Sequence, residues 1–116
     1  MGKRSNFERV PRDYYPTPIE AVEPLLAHLP YAFDYVEPCA GDGRLIRHIT
    51  KLTQGTGECI YASDIEPRHA DIFTSNALNL DFGGYGVMDY MITNPPWDRK
   101  ILHNLIDHWI EICPTW

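Results

Sequence analysis

Tyr35-Val36-Glu37-Pro38-Cys39-Ala40-Gly41-Asp42-Gly43-Arg44-Leu45 is the stretch whose reading decides the fold. A short apolar, β-rich run from Phe33 to Val36 feeds an acid, then a small-residue loop with two glycines, then the amphipathic run Leu45, Ile46, Ile49, Leu52. That order predicts strand, tight turn and helix. Gly41 and Gly43 let the backbone come close to a ligand, and the unpaired N–H groups at the start of the following helix face the same place. The dinucleotide fingerprint G-x-G-x-x-G is absent, because Ile46 stands where its third glycine would fall. What remains is acid-x-x-x-Gly-x-Gly, which suits a nucleotide pocket and equally suits a tight turn with no ligand.

Outward from this loop, size and composition set bounds. A chain of 116 residues with 44% hydrophobic content buries one core, so a single domain is expected. No apolar run approaches the ~18 residues of a membrane span, and no charged-then-apolar leader opens the chain, so a soluble cytoplasmic protein is expected. Cys39, Cys59 and Cys113 are odd in number and lack C-x-x-C spacing, which argues for buried reduced thiols over disulfides or zinc. The net charge of −6 opposes a surface uniformly adapted to nucleic acid. Yet Lys3, Arg4, Arg9 and Arg12 crowd the first twelve residues beside one acid, Glu8. Residues 1–13 therefore read as a flexible basic arm that reaches a phosphate backbone or is simply solvated, ahead of a domain spanning 14–116.

Asp13 to Glu20 reads as a turn into a helix, with Thr17 as N-cap, Pro18 at the first helical position and Glu20 completing a capping box. Ile19, Val22, Leu25, Leu26 and Leu29 give that helix an apolar face, Pro24 kinks or restarts it, and Leu29-Pro30 ends it. After the glycine loop and its helix, a second strand is expected over 58–63, closing on Asp64-Ile65-Glu66-Pro67. An acid at that strand's C-terminal end, 21 residues past Gly43, is placed to hold a ribose by its two hydroxyls, with Ile65 packing on a base. The same Asp64 would also serve as a helix N-cap. A short helix over 67–71, a third strand over 71–75, a loop at 82–86 and a buried fourth strand over 87–93 complete the series. Arg99 to Cys113 then reads as a helix with Ile101, Leu102, Leu105, Ile106, Trp109 and Ile110 on a broad apolar face. His28, His48, His69, His103 and His108 show no ligand spacing.

The fourth strand runs into Asn94-Pro95-Pro96-Trp97, the most specific motif in the chain. It is either a proline turn with a core tryptophan or a chemical site. With the glycine loop and Asp64 in the same order, the chain resembles the class I S-adenosylmethionine (SAM) dependent methyltransferases, in which Asn-Pro-Pro-aromatic marks enzymes acting on amino nitrogens. Within that family it resembles small phage-type DNA adenine-N6 methyltransferases. The Tyr15-Pro16-Thr17-Pro18 segment resembles the one that contacts the methionine carboxylate in those enzymes.

The resemblance implies an α/β, Rossmann-like fold with a truncated parallel sheet of order 3-2-1-4 and flanking helices. It implies SAM as cofactor, held by Thr17, Glu37, Gly41, Gly43, Asp64 and Ile65, with Asn76 where the family usually offers an acid to the adenine amino group. Asn94, Pro95, Pro96 and Trp97 would be the catalytic motif. An exocyclic amino group is a poor nucleophile because its lone pair is delocalised. The Asn94 side-chain oxygen and the Pro95 carbonyl would accept its hydrogens and align it, the prolines would stiffen the turn, and Trp97 would stack on a flipped base. DNA is the substrate implied, with RNA, a protein glutamine, or a non-catalytic SAM-binding module as alternatives, and no metal is required. The family's last strands fall outside this chain, which leaves the fourth strand as an open edge beside surplus apolar surface. Self-association or a partner chain is therefore expected to cover it.

Overall fold

Every pairing in the sheet is parallel, and the strand order is third-second-first-fourth, the order that the resemblance implies. The structure is a computed structural model and describes residues 16–79 and 89–112. Its strands are β1 (Phe33–Glu37), β2 (Gly57–Asp64), β3 (Phe73–Thr74) and β4 (Tyr90–Met91), and its helices are α1 (Ile19–Val22), α2 (Arg44–Thr53) and α3 (Arg99–Ile112). The basic arm, the loop at 82–86, the start of the expected fourth strand and Cys113 lie outside the described residues. Among those described, no helix is long and apolar enough to cross a membrane.

β1 is the centre because its side chains have partners on every side. Phe33 and Tyr35 pack with Leu45 and Ile49 of α2 and Val22 of α1, and Tyr90 joins them from β4. Met91, the next residue of β4, packs instead with Leu105 and Trp109 of α3 and with Ala77. Successive strand residues point to opposite faces, so α1 and α2 cover one face of the sheet and α3 the other. The burial of Leu45 and Ile49, with Ile46 and Leu52 partly covered, is the expected amphipathic helix.

Gly57 opens β2 for a packing reason rather than a turn. A Cβ there would stand 2.5 Å from the Phe33 ring and 3.0 Å from Ile49, so the strand approaches the core only without a side chain.

Three local expectations are corrected and one is met. The break expected at Pro24 is found: one α-helical turn is followed by a 3-10 segment over Glu23–His28, because Pro24 cannot donate to the α-helical ladder and opens the tighter turn instead. Thr17 is not its cap: Pro18 occupies the N-cap position and no side chain caps the helix. No helix forms over 67–71, since the Asp71 N–H goes to His69 Nδ1 and the Ile72 N–H to the His69 carbonyl, a turn closed on itself. The third strand has two paired residues, supported by Phe73 stacking on Tyr61 at 5.8 Å.

Candidate functional site

A cleft of about 240 Å³ opens at the C-terminal ends of the strands, on the seam between the glycine loop and the segment after β4. Such a position outside the carboxyl ends of parallel strands is where α/β sheets hold ligands. Its walls bring together eight of the residues singled out from the sequence: Thr17, Glu37, Gly41, Asp64, Ile65, Asn76, Asn94 and Pro96. Gly43, Pro95 and Trp97 are not part of those walls.

The loop after β1 is set by its backbone. Gly43 sits at φ +83°, the left-handed conformation that an L side chain resists, and hands the chain into α2. Its contribution is the turn, not a ligand contact. Asp42, between the glycines, accepts the Arg44 N–H at 2.9 Å and pairs with the Arg44 and Arg47 side chains. One N–H at the helix start, expected to face a ligand, is therefore already satisfied.

Asp64 ends β2 with its carboxylate across the loop. Oδ2 accepts the Gly41 N–H at 2.8 Å and Oδ1 accepts the Glu66 N–H at 2.8 Å, so both oxygens are fixed in place. Each carboxylate oxygen still has acceptor capacity beyond one bond, which is what a vicinal diol needs. Beside it, Ile65 and Leu78 expose apolar surface at the cleft. Asn76, across from them, spends Oδ1 on the Leu78 N–H at 2.9 Å, shaping its own turn.

Glu37 is the most buried acid in the site, with 1% of its surface exposed. Its Oε1 accepts the Cys39 N–H at 2.8 Å and the Thr93 hydroxyl, tying the glycine loop to the strand that precedes Asn94. Burial pushes its carboxyl up to about 8, against the pull of the Thr93 and Cys39 hydrogen bonds, with the nearby Asp64 charge adding to the rise. Oε2 is buried without a hydrogen-bond partner. A buried carboxyl oxygen with its bonding unmet in a cleft wall is a place for a polar or cationic group of a ligand. Burial likewise pushes the neighbouring Cys39 thiol up to about 12 and Cys59 to about 11, so both free thiols stay neutral.

The motif after β4 is linked to the segment before α1. Asn94 Nδ2 donates to Thr17 Oγ1 at 3.0 Å, and Trp97 Nε1 donates to Asn94 Oδ1 at 3.1 Å. Trp97 itself is 60% exposed, so it is a surface ring and not the core tryptophan that a purely structural proline turn would bury.

Several contributors were not singled out from the sequence. Thr93 is one, although its place directly before Asn94 was a usable signal. Leu78 and, on α3, Ile101 and Leu105 are others: they line the cleft, whereas an apolar helical face announces packing alone. No family model, curated protein or solved structure matches the chain.

Proposed function

We propose that the chain is a SAM-dependent methyltransferase of Rossmann-like type acting on an exocyclic amino nitrogen, N6 of adenine in DNA. The observation that carries this is the sharing of one cleft by two sets of groups: Gly41, Asp64 and Ile65 on the nucleotide side, and Asn94 with Pro96 on the other. Asn-Pro-Pro-Trp beside such a cleft is the arrangement that the resemblance to amino-methyltransferases leads one to expect.

The residues present fit SAM by donor and acceptor count. The cofactor presents hydroxyls and an ammonium that need acceptors: the fixed Asp64 carboxylate supplies them for the hydroxyls, and a cation seated against the Glu37 carboxyl would lower its raised value and leave it ionised as the partner of the ammonium. Its adenine needs apolar cover, which Ile65 and Leu78 offer at the cleft. SAM would supply a methyl group activated on a sulfonium, which leaves as a neutral thioether, and the nitrogen that takes the methyl would release one proton to water. The protein's own part is to hold the acceptor nitrogen: Asn94 Oδ1 and the Pro95 carbonyl accept its N–H bonds, which orients the lone pair and restores its nucleophilicity.

Calorimetric titration of SAM should give a dissociation constant on the order of micromolar, and Asp64→Ala should abolish it. Asn94→Ala should keep SAM binding and lose transfer of labelled methyl to adenine-containing DNA. Transfer that survives in Asn94→Ala, or labelling confined to RNA or protein, would sink this assignment.

A further inference from the structure

The hydrogen bonds around Asn94 can be directed without choice, and their direction gives Thr17 a role. An indole Nε1 is a donor only, so the Asn94 atom 3.1 Å from it must be the carbonyl oxygen. The other end of the amide is then NH2, also a donor only, so Thr17 Oγ1 must accept from it at 3.0 Å. The opposite amide orientation would set N–H against N–H at Trp97. Thr17 is itself anchored, because its carbonyl accepts from His48 Nε2 on α2 at 3.0 Å. The Thr17 hydroxyl, having accepted from Asn94, keeps its own proton for an acceptor at the cleft that it lines.

We infer that Thr17 is a positioning residue for the amino-transfer site: its hydroxyl takes the Asn94 NH2 and so holds the Asn94 carbonyl outward, where a target N–H bonds it. This inference rests on the proposed methyl transfer. The exposed Trp97 indole, already donating to that carbonyl, marks the side from which a target donor arrives. On entry the target amine takes over the bond that the indole makes, while the bond to Thr17 remains. Without that bond the NH2 loses its acceptor, and once the target displaces the indole N–H the amide is held less firmly with its carbonyl toward the target.

The test compares Thr17→Val, which keeps the shape and the His48 bond to the backbone, with Thr17→Ser, which restores the hydroxyl. In the ligand-free 15N-labelled protein, the Asn94 carboxamide and Trp97 indole resonances are assigned by their loss in Asn94→Ala and Trp97→Phe. Both should shift in Thr17→Val and return close to their wild-type positions in Thr17→Ser. At saturating SAM, kcat on adenine-containing DNA should fall roughly tenfold in Thr17→Val and recover in Thr17→Ser. Resonances that stay put in Thr17→Val overturn the inference whatever the activity. A loss confined to SAM affinity, with kcat intact, also overturns it and makes Thr17 a cofactor ligand alone. Wild-type protein that transfers no methyl group, while the resonances still shift, sinks the methyltransferase assignment and leaves the Thr17–Asn94 clamp standing.

Discussion

Glu37 concentrates the residue-scale chemistry, because it carries an acid where water does not reach. Its ordinary value is 4.5 and in the folded chain it is raised to about 8, so between these limits the folded state holds a proton that the unfolded state has released. Stability from this group is therefore complete below about 4.5 and falls as pH rises toward 8, by about 1.4 kcal/mol per pH unit at most. Urea unfolding at pH 5 and pH 7.5 should show this decline, and Glu37→Gln, which cannot ionise, should flatten it. An equal decline in Glu37→Gln would place its origin elsewhere. The acid itself was legible in the sequence as the residue after a β-rich run. Its partner Thr93 and its orphaned oxygen were not, because burial and a bond spanning 56 positions are tertiary facts. Thr17 shows the same limit. A threonine three residues before a glutamate is a sound local cap, yet Asn94, 77 positions away, takes its hydroxyl instead.

The elements that were legible are those whose pattern is long enough to be redundant. β1, α2 and β2 span 5, 10 and 8 residues, and their apolar spacing and glycine punctuation agree with one another. β3 and β4 have two residues each, and no periodicity can be read from two. Gly57 is the exception within a long element: it looks like part of the preceding Gln54-Gly55-Thr56 turn but answers to the Phe33 ring behind it. Gly57→Ala should therefore destabilise the fold by about 1–3 kcal/mol through overpacking, measured as a lower urea midpoint with an unchanged slope. Gly55→Ala is no neutral control, since Gly55 sits at φ +87°. Pairing Gly57→Ala with Phe33→Leu makes the distinction: the smaller ring position should recover part of the loss.

At the scale of the molecule, α3 has more apolar surface than the described residues cover. Leu105 and Trp109 are buried against Ala77, while Ile106 and Ile110, one turn apart on the helix, stay exposed, and among the described residues β4 pairs only with β1. An exposed isoleucine pair on a helix next to a strand edge that the described residues leave unpaired favours association. Sedimentation equilibrium is expected to give a mass above the 13.4 kDa of one chain, rising with concentration, and Ile106→Asp with Ile110→Asp should return it to that value. A single 13.4 kDa species at all concentrations would show that this surface stands without a partner chain.

The clasp between Thr17 and Asn94 also orders events in time. Its two ends are 77 positions apart, and the β1–β4 pairing that brings them together joins Tyr35 to Tyr90. Contacts of such separation carry the largest loop-closure cost and lag behind local ones as a chain folds. As the chain emerges in synthesis, β1, α2 and β2 are free to dock before residue 90 has left the ribosome, giving a half-molecule with Asp64 in place and one wall of the cleft missing. The wall around Asp64 is thus laid down early and the wall around Asn94 last, so a ligand that touches both walls reports a chain that has finished folding.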